Sequence, residues 1–141
     1  MSEAENKLLV QAYFDNAWNK VRDSPGYEYW SKEGAEFDHY VWIPMWRKAL
    51  SDMRMAVDAM YAEGTFVTVC MPCSVMQTGV VEGDLIRQGI ISQSLPPTGN
   101  KVEFSAIIVY EIENGILKRA VHGVIDWLTG LRQMGALPAP A

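Results

Sequence analysis

Val102-Glu103-Phe104-Ser105-Ala106-Ile107-Ile108-Val109-Tyr110-Glu111-Ile112-Glu113-Asn114-Gly115-Ile116-Leu117 is the stretch that decides the fold of this 141-residue chain. Val102, Phe104, Ala106, Ile108, Tyr110 and Ile112 recur at period two, the spacing that sets side chains on one face of a strand. Ile107 and Val109 make the opposite face partly apolar as well. Asn-Gly favours a tight hairpin, because both central residues of that turn need positive φ. The stretch predicts a strand over 102–112, a turn at 113–115 and a returning strand over 117–126.

Upstream, Pro96-Pro97-Thr98-Gly99-Asn100 is a turn, and Thr65 to Met76 alternates as a second clear strand. Residues 42–62 carry two patterns. Trp46, Leu50, Met53, Val57 and Met60 fit a helical stripe, whereas Met53, Met55, Val57, Ala59 and Tyr61 fit alternation. Glu63-Gly64 is a turn signal that a single long helix does not need. The reading adopted is a helix over 43–51 followed by a strand over 53–62 that pairs with 65–76. Asp84 to Leu95, with Leu85-Ile86 and Ile90-Ile91, reads as further β-structure.

Residues 5–21 read as a helix, with Leu9, Tyr13 and Ala17 at i+4 spacing, ended by Asp23-Ser24-Pro25-Gly26. Residues 27–40 read as a short helix or loop and then a short extended segment. A last helix over 127–134 stops at Gly135, and the tail from Ala136 is loose. Helices first, then an antiparallel meander, give an α+β class. One domain over 1–141 is expected from the length.

Composition narrows the function. Hydrophobic residues are 49% and charged residues 21%, a globular balance that excludes wholesale disorder. The net charge is −5, and the basic residues are scattered with no stripe, so nucleic acid is not an expected partner. No apolar run approaches the ~20 residues a membrane span needs, and the polar start shows no signal-peptide stretch. A cytoplasmic protein without a membrane partner is expected. Cys70-Met71-Pro72-Cys73 has a C-x-x-C spacing, but its flanks are β-rich and no helix follows. In a strand the two thiols point to opposite faces. His39 and His122 are isolated, so no metal or other cofactor is expected. Five Trp, six Tyr, four Phe and eight Met suit either a core or the wall of a cavity for a flat ligand.

Three segments together resemble the SnoaL-like polyketide cyclases, of the NTF2-like and ketosteroid-isomerase-like superfamily. They are Leu95-Pro96-Pro97-Thr98-Gly99-Asn100, the ending Asp126-Trp127-Leu128-Thr129-Gly130-Leu131-Arg132-Gln133-Met134-Gly135, and Leu50-Ser51-Asp52-Met53-Arg54 with Ala62-Glu63-Gly64. The resemblance implies a cone: helices on a strongly curved sheet that encloses a pocket. It implies cofactor-free aldol ring closure of a hydrophobic poly-carbonyl compound, and a homodimer through the outer face of the sheet. The alternatives are a non-catalytic binding protein, or an isomerase, dehydratase or hydroxylase using the same pocket. The chain departs from the family where Met76-Gln77-Thr78-Gly79 lacks a histidine and where 80–94 is about ten residues longer than expected. Within it Gly83 and Gly89 bracket a piece with Leu85, Ile86 and Arg87, and the segment is expected to extend a hairpin or cover the pocket mouth as a lid.

Asp126 matches the family's acid/base aspartate. Its neighbours Val121, Val124, Ile125 and Trp127 are apolar, and burial among them would raise its pKa toward that of a carbon-acid base. Asp immediately before a short helix is equally a good N-cap. His122, four residues earlier, shares its strand face and is a partner for proton transfer. His39 matches a pocket-facing position of relatives. Catalysis is thus assigned to Asp126, His122 and His39. Tyr13, Gln77, Trp46, Phe104 and Arg87 are assigned to ligand binding: Tyr13 from its helix face, Gln77 in place of the missing histidine, and Arg87 from the insertion. Trp46 and Phe104, like Trp18, Trp30 and Trp42, are expected in the wall or core.

Overall fold

The computed structural model describes residues 1–19, 27–37 and 43–138. Helix α1 spans Glu3–Tyr13 and opens on a capping box in which Ser2 and Glu5 satisfy each other's backbone N–H. It does not run on to residue 21 as a single α-helix. From Phe14 to Trp18 the chain widens into a π-turn. A 3₁₀ turn, Tyr27–Tyr29, and helix α2, Lys32–Phe37, follow. Ser31 N–H donates to the Leu117 carbonyl, and Gly34 lies where a Cβ would meet the Lys118 carbonyl at 2.5 Å. That close approach seats α2 on the last strand. The extended segment expected at 38–40 lies outside the described residues.

Helix α3, Ile43–Ala49, passes directly into β1, Leu50–Met55. Strand β2, Ala59–Glu63, turns at Gly64 into β3, Phe66–Gln77. The Glu63-Gly64 turn thus selects the hairpin over one long helix. Strand β4, Lys101–Glu113, and β5, Ile116–Ile125, are joined by Asn114 and Gly115, both at positive φ. Helix α5, Trp127–Gln133, closes the fold before Gly135 at φ 76°.

The sheet is antiparallel in the order β1-β3-β4-β5, with β2 also paired to β3. Three register shifts interrupt it, one in β1 and two in β5, where Lys118 is also extra between Arg119 and Leu117. In β1 the register slips one residue between Ser51 and Arg54, with Asp52 at φ 49°. The extra residue lets Leu50, Met53 and Met55 all face inward. In β5 Val109 pairs with His122 but Tyr110 pairs with Ala120, so Val121 is extra. The inner face carries Val67, Val69, Met71 and Cys73 of β3 and Ala106 and Tyr110 of β4, packed on Val10, Tyr13 and Phe14 of α1 and the π-turn.

The segment 84–95 is a correction: it is not β-structure. Asp84–Arg87 form the short helix α4, followed by turns, and Val81 bridges Leu95 across its base. Val81, Leu85, Ile91 and Leu95 fill a second core with Trp46, Leu50, Val75 and Val102. Paired apolar residues, two and two, read alike as a strand or as one buried helical turn.

Candidate functional site

A cavity of about 400 Å³ opens between the inner face of the sheet and the helices. Tyr13 and Trp18 line it from the N-terminal helix and π-turn. Trp30, which bridges Leu117 between the 3₁₀ turn and α2, Trp46 of α3 and Trp127 of α5 also line it. Strand residues Met53, Met55, Met71, Cys73, Phe104, Ile108, Tyr110 and Ile125 form the floor. Ala120 and Gly123 leave it bare along β5, and Gln88 enters from the turn after α4. None of the described lining residues carries a charge, and the volume suits a drug-sized, largely apolar molecule.

The π-turn gives this wall its polar handle. Widening the helix to i→i+5 bonding, as from Asn19 N–H to the Phe14 carbonyl, brings Trp18 over Tyr13, and the indole Nε1–H donates to the Tyr13 hydroxyl at 2.8 Å. The turn is held from two sides. Asn19 donates to the Met55 carbonyl at 2.8 Å and accepts from Met55 N–H at 2.6 Å, while Arg47 donates to the Ala17 carbonyl at 2.7 Å. Tyr13 is itself wedged edge-on against Trp30 and Tyr110. Trp46 stacks on Trp127, with centroids 5.1 Å apart. Cys73 is buried in the floor, and burial pushes its thiol up to about 12, so it is an uncharged wall group. Cys70 belongs to the opposite set of β3 side chains, between Ala59 and Ile107.

The structure places Tyr13, Trp46 and Phe104 in the cavity wall. It places Asp126 and His122 outside this cavity, whereas both were expected to line it; Asp126 lies instead with Thr129, Arg54 and Glu103 around a second, more open hollow of about 450 Å³. Asp126 and His122 are both exposed. The two do share a face, since no bulge separates residues 122 and 126, but it is the outer one: Gly123 and Ile125 alternate with them and point inward. Apolar neighbours misled here because this strand is apolar on both faces, with Val124 67% exposed. Asp126 caps α5 instead. Its carboxylate accepts from the Thr129 hydroxyl at 2.6 Å and from Thr129 N–H at 3.1 Å. These bonds hold the carboxyl below its ordinary range, the reverse of what a carbon-acid base requires.

Gln77 is fully buried on the inner face of β3, at its end beyond the cavity wall. It donates to the Pro96 carbonyl at 2.9 Å and accepts from Thr98 Oγ1 at 2.7 Å, so it pins the Pro96–Asn100 turn. Arg87 ends α4 and is exposed outside the cavity wall; its neighbour Gln88 is the residue that reaches in. His39 lies outside the described residues. Among the described residues no cluster of three His, Cys, Asp or Glu could hold a metal ion. No helix among them is long and apolar enough to cross a membrane.

The model of the SnoaL-like polyketide cyclases matches residues 39–134. The chain belongs to the SnoaL-like polyketide cyclase family. No curated protein matches it. Among solved structures it resembles AclR of Streptomyces galilaeus, a candidate hydroxylase, with a TM-score of 0.79 at 21% identity, covering 99% of this chain and 87% of that one. A candidate SnoaL-like polyketide cyclase from Jannaschia sp. CCS1 gives 0.72 at 17% identity, covering 96% and 95%. TsrD of Streptomyces laurentii gives 0.67 at 21% identity, covering 97% and 99%. At these identities the structures establish the fold. One SnoaL-like frame thus carries differently described relatives, and the chemistry of this member has to be argued from its own cavity.

Sequence reasoning missed the methionines of the wall, Gln88, and the paired small residues Ala120 and Gly123. The parity of β3 would have yielded Met71 and Cys73 once its inner face was known. Gln88 sits in an insertion whose helical turn the sequence did not reveal.

Proposed function

We propose that this SnoaL-like protein binds a flat, mainly apolar, carbonyl-bearing molecule of polyketide type in the aromatic cavity. The observation that supports it is a wall of four tryptophans, two tyrosines and three methionines, among them Tyr13 with its phenol hydrogen-bonded by Trp18. Aromatic faces and thioethers match the faces of a conjugated ligand. Tyr13, with its oxygen fixed by Trp18, is the group that meets a ligand carbonyl.

Ring closure of a poly-carbonyl chain proceeds by loss of a proton between two carbonyls and attack of the resulting carbanion on a third. The apolar wall folds the chain and excludes water, and Tyr13 steadies the developing enolate oxygen. We give the proton-accepting role to His39 on the family resemblance alone. The second reading, binding without turnover, is favoured by the lack of any carboxylate or imidazole among the described lining residues.

Methyl NMR of ¹³C-methionine protein tests the binding site. Adding 9-fluorenone, a planar aryl ketone, is expected to shift the methyls of Met53, Met55 and Met71 by ring currents and to leave Met76, which stands opposite Lys101 and Ser51 on the outer side, unchanged. Shifts absent from these three would place the ligand elsewhere.

Two copies pair through the outer face of the sheet. Ile107 and Val124 are cross-strand partners there and are 46% and 67% exposed, with Tyr61 and Phe66 nearby on the same face. Val124→Glu is expected to convert a dimer to a monomer in light-scattering measurements at micromolar concentration. A wild-type monomer, or an unchanged dimer in the variant, would remove this interface.

A further inference from the structure

Gly123 stands in the middle of β5, opposite Ile108, with its open side toward the cavity. A glycine inside a strand weakens it, since it adds backbone freedom to the unfolded chain and offers no side chain to pack. Two ordinary reasons for tolerating one are missing here. Its φ is not positive, unlike those of Gly64, Gly83, Gly89, Gly99, Gly115 and Gly135. Nor does another group press on it: a Cβ built at Gly123 meets nothing within 4 Å, in contrast to Gly34. The space that glycine leaves is therefore empty, and it lies at the open side of the cavity, since Gly123 and Ala120 line it and are both solvent-exposed. The bulge at Val121 doubles the effect. It turns Ala120 inward three residues away, so two minimal side chains stand side by side where β5 meets Ile108 and Tyr110.

We propose that Gly123, with Ala120, sets the length of ligand the cavity accepts, by keeping open a lobe over β5 that holds the outer ring of a fused polycyclic or ring-forming carbonyl compound. The inference rests on the cavity being the ligand site, and it adds a residue that selects among ligands. Any β-branched residue here suits the strand better than glycine. Its side chain would stand in the lobe between Ile108 and Ile125.

The test uses a matched pair of ketones, 1-indanone with two rings and 9-fluorenone with three, titrated by quenching of tryptophan fluorescence. Wild type is expected to bind both. Gly123→Val is expected to weaken 9-fluorenone at least tenfold and 1-indanone less than threefold, with Gly123→Ala between. In the same variants the melting temperature is expected to rise by about 2–4 °C, since a better strand former enters open space. Equal loss for both ketones, or no loss for either, would overturn the length filter. A melting temperature lowered by several degrees would show that packing, not room, demands the glycine. Wild-type protein that binds neither ketone would remove the cavity-binding reading itself, and this inference with it. Selective failure in the variant alone leaves that reading standing.

Discussion

Leu85→Ala is expected to lower the free energy of unfolding by about 2–5 kcal/mol, measured by urea denaturation. Leu85 is fully buried, although it belongs to a four-residue helix in a long connection between two strands. Its side chain plugs the second core beside Trp46, Leu50, Val75 and Val102. Truncation leaves a hole bounded by strands that are hydrogen-bonded on both sides and by α5, so little collapse can offset it. A mobile lid behaves differently, because a leucine on a lid gives up little buried surface when removed. Gln93→Ala in the exposed part of the same segment is expected to stay within about 0.5 kcal/mol. A Leu85→Ala cost below about 1 kcal/mol would make the insertion a lid over the cavity mouth.

The sheet was legible because two independent signals agreed there. Alternation in 65–76 and 102–112 fixed the strands, and Glu63-Gly64 and Asn114-Gly115 fixed where they turn. The helix after residue 43 and its passage into a strand followed from the same turn logic. Periodicity fails where the chain changes its repeat. The π-turn at 14–18 keeps apolar residues inward at a spacing the helical pattern does not anticipate, and the bulges at Asp52 and Val121 each shift facing by one residue. The insertion was misread because Leu85-Ile86 and Ile90-Ile91 give too short a run to set a period.

The site was legible in its wall and not in its chemistry. Aromatic richness and the helix face of Tyr13 pointed to residues that do line the cavity. The shared face of His122 and Asp126 was also correct as geometry, but parity says only which residues face together, not which face is inside. Both faces of β4 and β5 are apolar, one for the cavity and one for the exposed patch at Ile107 and Val124, so hydrophobic neighbours could not choose between them. Thr129 engages both carboxylate oxygens of Asp126 at the start of α5, the N-cap role that the sequence offered equally.

The proposed function puts the chemistry in the cavity and not on the outer-face pair, and turnover of a poly-carbonyl substrate by two single variants tests this most directly. The substrate is a synthetic aryl-capped triketone, and the measurement is the initial rate of the cyclised product by chromatography, alongside melting temperature and 9-fluorenone binding. Asn caps a helix about as well as Asp, so Asp126→Asn leaves α5 in place while removing the carboxylate charge. The rate of Asp126→Asn is expected to stay within about twofold of wild type. The rate of His39→Gln is expected to fall by about 10²–10⁴-fold, the usual cost of losing a general base, with 9-fluorenone binding retained. A loss of that size in Asp126→Asn, at unchanged melting temperature and unchanged ketone binding, would contradict the assignment and return catalysis to the outer face of β5.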